Sequence, residues 1–442
     1  MPPVSETVTD MQTNMADLLS APLRNLSHGL NIPNLLVMNG KPGKSPGNRA
    51  DQLSMFERQL VIKVVTESEE QQISAEYQDA GQRLARQDRW NNLSALIRQK
   101  DKARETTASG LALADLLVHG ARADMVQAAE HALLHGGLDP RAGLNDSLEA
   151  FEETLEPEID DYALALVLAH THIDIGWAWR GNGRLDSLSQ GNRRAFERHF
   201  HRAAEILDRH KAIASHSPAL LSAQCALLPG QYNAPNQVSR DFETLIDLVP
   251  DNPRSMRALG NYLLPRWFGS YERLELEARR TAARTFHSWG AGGYAWVYFD
   301  ALLTDGLTLN MVDMEYLMDG ISDILSERGD QQTANLMAAH AYAAEQLAQD
   351  YARHDLVDPQ LALLFRATFE DIVDNRLREI HPLIWGHAEI GFDNASRAIS
   401  LGRLMQKGRE AAFGAIADRH YGTLSKGDMV VFRQDGVEVL AQ

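Results

Sequence analysis

From Gln52 onward, apolar positions recur at three- and four-residue intervals in short blocks. The blocks are rich in Ala, Leu, Glu, Gln and Arg, the residues that lose least side-chain freedom in a helix. This pattern predicts amphipathic helices over 111–117, 124–134, 192–210 and 272–285, arranged as short pairs. Gly120 after His119, and Gly136 with Gly137 after His135, are expected to close two of them as left-handed caps. The pattern changes only at the C-terminus. There Met429–Phe432 and Val437–Leu440 are β-type runs joined through Arg433-Gln434-Asp435-Gly436, and before residue 429 almost no β-rich run occurs.

The pairs show a register. Ser217-Pro218-Ala219-Leu220-Leu221-Ser222-Ala223-Gln224 aligns with Asn252-Pro253-Arg254-Ser255-Met256-Arg257-Ala258-Leu259, placing the two prolines 35 residues apart. Each proline suits a first helical turn, and residues 242–248 supply the intervening helix. The spacing is close to the ~34-residue period of tetratricopeptide arrays. The expected fold is therefore all-α: a tetratricopeptide-like α-solenoid of stacked helix pairs with a small C-terminal β-hairpin. Residues 1–50 read as a flexible N-terminal tail, 51–310 as the repeats, 311–425 as a C-terminal helical region and 426–442 as the hairpin. Within the tail, Met15, Leu18, Leu19, Leu23, Leu26 and Leu30 fall near helical spacing, which suits docking on a partner or on the protein's own body.

Composition narrows the function classes. Forty-three Lys and Arg against 60 Asp and Glu leave a formal charge of −17 over 442 residues, a field that repels phosphate and disfavours nucleic-acid or anionic-membrane binding. With Cys225 the single cysteine, an intramolecular disulfide and cysteine-rich metal sites are ruled out, as expected of a reducing compartment. The first residues lack a secretory pattern and no run reaches the ~18 apolar residues of a membrane span, so a cytoplasmic protein is expected. No phosphate-binding loop or nucleophile elbow is found, and Cys225 falls in an apolar helix where an inert thiol is expected.

One stretch carries candidate chemistry. Ala169-His170-Thr171-His172-Ile173-Asp174-Ile175-Gly176-Trp177-Ala178-Trp179-Arg180-Gly181 is followed by Leu264-Pro265-Arg266-Trp267-Phe268-Gly269-Ser270-Tyr271. Together they resemble a bacterial family of uncharacterised tetratricopeptide-like proteins, whose pattern runs from H-x-D-x-G-W-x-x-R-G to L-P-R-W-x-G-S. Phe268 stands where that family has a small residue. The resemblance covers about residues 160–285 and implies a helical-repeat fold without naming a reaction. The stretch is also similar to the metal motif of class II α-mannosidases. That likeness implies zinc on His172 and Asp174 with Asp300 as carboxylate nucleophile. An H-x-H pair, His170 and His172, likewise opens amidohydrolase barrels.

Both enzyme readings need a strand here, and local propensity opposes one. Residues 162–169 are dominated by Ala and Leu and read as helix. On a helix His170 and Asp174 share a face, whereas His172 points roughly 160° away from His170. His387-Ala388-Glu389-Ile390-Gly391-Phe392 echoes the motif, with the close approach of two helices as its simplest meaning. Aromatic residues gather at Trp267, Tyr271, Trp289, Tyr294, Trp296, Tyr298 and Phe299, either as core or as a peptide-binding face.

The expected function is a protein-interaction scaffold without catalytic activity or cofactor, holding a protein or peptide partner. Its expected binding residues are Trp177, Arg180, Arg266, Trp267, Tyr271 and Trp296. The alternative is a metal-dependent hydrolase built on His170, His172 and Asp174.

Overall fold

The computed structural model describes residues 56, 58–134, 140–181, 189–390 and 401–441. The expected tail, the pair Gly136 and Gly137, and Gly391 with Phe392 of the echo lie outside the described residues. The described chain is mostly helical, with eighteen helices and five short strands. It divides into two compact units: residues 69–285, and residues 56–68 together with 286–441.

The first unit contains α1 (Glu69–Arg86), α2 (Trp90–Ala103), α3 (Leu113–Leu134), α4 (Pro140–Leu155), α5 (Tyr162–Arg180), α6 (Gln190–Asp208), α7 (Lys211–Ala214), α8 (Pro218–Leu227), α9 (Ala234–Leu248) and α10 (Pro253–Tyr262). The greater part of α11 (Tyr271–Trp289) also belongs to it. At its centre is α5, in which every residue from Ala163 to Trp177 is buried. A helix apolar on all sides is stable only when surrounded. Asp161 fixes its start by accepting the N–H of Ala163.

Two expected helices, 111–117 and 124–134, prove to be one. Gly120 does not cap its first half; it sits inside α3 because α1 crosses there backbone to backbone. A Cβ on Gly120 would lie 1.9 Å from the Gln78 carbonyl oxygen, and one on Gly81 of α1 would lie 2.1 Å from that of Leu117. The start of α3 is also later than expected. Residues 106–112 turn back on themselves, with Thr107 N–H donating to the Leu111 carbonyl and Gly110 at a φ of +85°. The two prolines of the 35-residue register occupy the first turns of α8 and α10. Their caps are Ser217, accepting from Leu220 N–H, and Asn252, accepting from Arg254 N–H.

The second unit holds α12 (Gly292–Thr304), α13 (Met314–Glu327), α14 (Gln331–Arg353), α15 (Gln360–Asn375), α16 (Pro382–Ile390), α17 (Leu401–Arg419) and α18 (Tyr421–Leu424). The C-terminal hairpin forms from β4 (Met429–Arg433) and β5 (Gly436–Leu440), paired Val430 to Val439 and Phe432 to Val437. It does not stand alone: β1 (Leu60–Val61) adds a parallel strand to β4. A second small parallel pair joins β2 (Lys63–Val64) to β3 (Glu379–Ile380). Buried Asn335 of α14 secures this corner. Its amide nitrogen donates to the carbonyls of Gln331 and Glu379, and its oxygen accepts from His381 N–H and Trp385 Nε1, both at 2.9 Å. No described helix is long and apolar enough to cross a membrane.

Candidate functional site

Because α5 runs through the core, its polar residues must find partners inside the protein. They do so on two sides. His170 and Asp174, one turn apart, face Arg122 of α3, whose Nε donates to Asp174 Oδ2 at 2.8 Å; the two side chains are 0% and 1% exposed. Burial, reinforced by the Arg122 charge, holds His170 well below the usual histidine range and therefore neutral.

His172 points the other way. Its Nε2 lies 2.5 Å from Glu152 Oε1 of α4, and its Nδ1 lies 3.0 Å from Nδ1 of His199 on α6. Arg202 of α6 donates to both Glu152 and Glu156. The hydrogen bond from His172 is the main reason the Glu152 carboxyl stays below its usual range. Burial pushes His199 down to about 3, with the His172 charge next in weight. With Glu152 ionised and His199 neutral, one proton between the two Nδ1 atoms completes the row.

This arrangement bears on the zinc alternative through geometry. Glu152 and His199 occupy opposite nitrogens of one imidazole, so the three groups stand in line, whereas metal ligands converge on a point. His170 and His172 face different neighbours, and Asp174 is committed to a guanidinium. Among the described residues no group of three His, Cys, Asp or Glu side chains is placed to hold a metal. Asp300 lies buried on α12 of the second unit.

The structure does join the two resembling segments. Trp177 packs edge-on against Trp267 with ring centroids 6.5 Å apart, and against Phe196 and Phe200. Gly176 admits the Phe200 ring, which a Cβ would meet at 3.0 Å. Trp177, Trp267 and Arg180 are buried, Arg266 and Tyr271 half-buried. Trp296 is buried in the second unit against Trp289 and Phe299. The tryptophans expected to face a partner are thus core residues, their area spent on internal packing.

An open feature of the first unit lies elsewhere, in a cleft of about 50 Å³. Both proline-led helices line it, through Ser222 and Cys225 of α8 and through Arg254 and Ser255 of α10. The 110–112 turn and Asp115, in the first turn of α3, complete it. Gly110 is required at the rim, since a Cβ there would meet Asn252 Oδ1 at 2.6 Å. Asp115 retains contact with solvent through the cleft but is otherwise packed in protein. Loss of hydration, with Asp101 repelling it, pushes its carboxyl up to about 7 against the pull of Arg122 and Arg254. Sequence reasoning missed Asp115 and Arg254. The available signal was a single acid inside the apolar run 111–118.

Compared with models of known protein families, with curated proteins and with solved structures, the chain matches none at a significant level.

Proposed function

We propose that this chain is an interaction scaffold of helical-repeat type, a tetratricopeptide-like array working in the cytoplasm. It holds a protein or peptide partner and performs no chemical step. The observation that carries this reading is the cleft itself, since the two helices aligned at the 35-residue register both contribute to its walls. Repeat arrays use the grooves between successive helix pairs in this way. The engagement of His170, His172 and Asp174 with other side chains supports the same reading, because the motif's charges serve the fold.

The test compares captured partners. Full-length protein, a Ser222→Trp variant whose added ring fills the cleft, and an exposed-surface control, Lys407→Ala, are used as baits under identical conditions. A partner held in fixed ratio by wild type and control but lost from Ser222→Trp, with circular dichroism unchanged, is the expected result. The same partner set on all three overturns the proposal.

A further inference from the structure

We infer that the cleft takes a primary ammonium group on an aliphatic stem, the end of a lysine side chain of a bound polypeptide, with the ammonium against Asp115. This rests on the reading of the cleft as the partner's seat.

Asp115 and Arg254 line the cleft, Asp101 and Arg122 act on Asp115 from behind its wall, and the four differ in what they already hold. Asp101 of α2 accepts from Ser217 Oγ at 2.6 Å, Ala219 N–H at 2.9 Å and Tyr162 OH at 3.1 Å. Arg122 is committed to Asp174. Arg254 donates through Nε and Nη2 to the carbonyl and hydroxyl oxygens of Ser109. Asp115 alone among these four has no hydrogen bond or ion pair with any described residue. Among the described residues no donor reaches the Asp115 carboxyl, so solvent entering through the cleft is its remaining partner, and a ligand bearing N–H groups takes the place of that solvent.

Charge and shape select the ligand. When Asp115 is ionised, the charged groups linked around it are three carboxylates (Asp101, Asp115, Asp174) and two guanidinium groups (Arg122, Arg254), and an incoming cation balances the one carboxylate left over. Leu111, Phe242, Leu245 and Val249 give the cleft an apolar wall, which suits a methylene stem better than a hydrated ion. The hydroxyls of Ser222 and Ser255 add oxygen acceptors for the remaining ammonium protons. A compact ammonium suits so small a space better than the wide planar fork of a guanidinium.

Binding of a cation selects the ionised carboxyl, which gives the inference a thermodynamic signature. The charged groups acting on Asp115 are Asp101 from α2, Arg122 from its own helix and Arg254 from α10, and among the described residues the one other titratable side chain lining the cleft is the Cys225 thiol of α8. Since Asp115 titrates at about 7 when the cleft is free, complex formation near and below neutrality releases up to one proton. Affinity then falls about tenfold per pH unit as the pH drops below that value.

The experiment is isothermal titration of the full chain with n-butylammonium chloride, with n-butanol and n-butylguanidinium as comparators, in buffers of differing ionisation enthalpy at pH 6 and 8.5. The expected result is saturable binding of n-butylammonium in preference to both comparators. It is accompanied by proton release at pH 6 and none at pH 8.5, and weakened about tenfold or more in Asp115→Asn. Proton release is read on wild-type protein, so it stands even where the variant folds poorly. Equal binding of butanol or of the guanidinium, unchanged affinity in folded Asp115→Asn, or absence of saturable binding each overturns the inference. If that happens while Ser222→Trp still loses the partner, the cleft remains the binding seat with another ligand chemistry. If Ser222→Trp captures normally, the reading of the cleft falls as well.

Discussion

At the scale of single residues, the interior of the first unit is governed by charges that must be matched. Removing one member of a buried ion pair strands the other, at a cost of about 3–5 kcal/mol, whereas replacing both with apolar groups of similar size is far milder. Asp174→Ala is therefore expected to lower stability by an amount in that range. Arg122→Met combined with Asp174→Leu is expected to recover most of the loss, as read by urea denaturation of the three proteins. The single variant alone equalling wild type would show that the pair bears no load. The H-x-x-x-D spacing made the shared face of His170 and Asp174 legible in the sequence. It was silent on Arg122, which arrives from 52 residues away.

Two buried histidines and one carboxyl act on stability in opposite directions as the pH changes. His199 is held down to about 3 in the folded chain, and His170 well below the usual range, while in the unfolded chain both take protons near pH 6.5. Their contribution is intact above pH 6.5 and is lost progressively as the pH falls below it. Asp115 does the reverse. Raised to about 7 from 3.8, it binds a proton more tightly when folded, so its contribution is present below pH 3.8 and lost as pH rises to 7. Measured as urea midpoints across this range, the stability of Asp115→Asn relative to wild type should rise by up to about 1.4 kcal/mol per pH unit and level off above 7. A difference independent of pH would mean that the carboxyl is not desolvated as described.

At the scale of elements, the decisive contacts are backbone approaches that a hydropathy pattern does not register. Alanine is the better helix former by about 1 kcal/mol, so propensity alone expects Gly120→Ala to stabilise α3. The crossing of α1 reverses the sign: the added Cβ falls 1.9 Å from the Gln78 oxygen, and the helices must separate. We expect a net loss of about 1–3 kcal/mol in chemical denaturation, and a gain would show that the crossing yields easily. The same glycine explains why the sequence was misread. A glycine that closes a helix and one that lets another helix cross it look alike in a single chain. The aligned prolines, by contrast, were legible because a first-turn preference is local, and Pro218 and Pro253 open α8 and α10 as the register implied. The cleft between their helices was not legible, because its walls also come from Asp115 and the 110–112 turn more than a hundred residues earlier.

At the scale of the whole molecule, the chain begins its described course in the second unit, builds the first, and returns. The return is secured by two parallel pairings of two residues each, Leu60 with Val430 and Lys63 with Glu379. Strands this short carry no alternation to read, which is why the hairpin was expected from its Asp-Gly turn while its third strand was not. Buried Leu60 and Ile62 pin the 60–64 segment, and the Lys63 ammonium adds an ion pair to Glu379 at 2.6 Å. The ion pair is exposed on the lysine side and contributes little, so the apolar side chains are what hold the segment. Ile62→Asp places an unmatched charge there and is expected to loosen the second unit by about 2–4 kcal/mol. Hydrogen exchange resolves where the effect goes. Amides of 379–380 and 429–440 should exchange faster while those of 163–177, in the core of the first unit, keep their protection. Equal acceleration at all of these positions would show instead that the two units open as a single cooperative body.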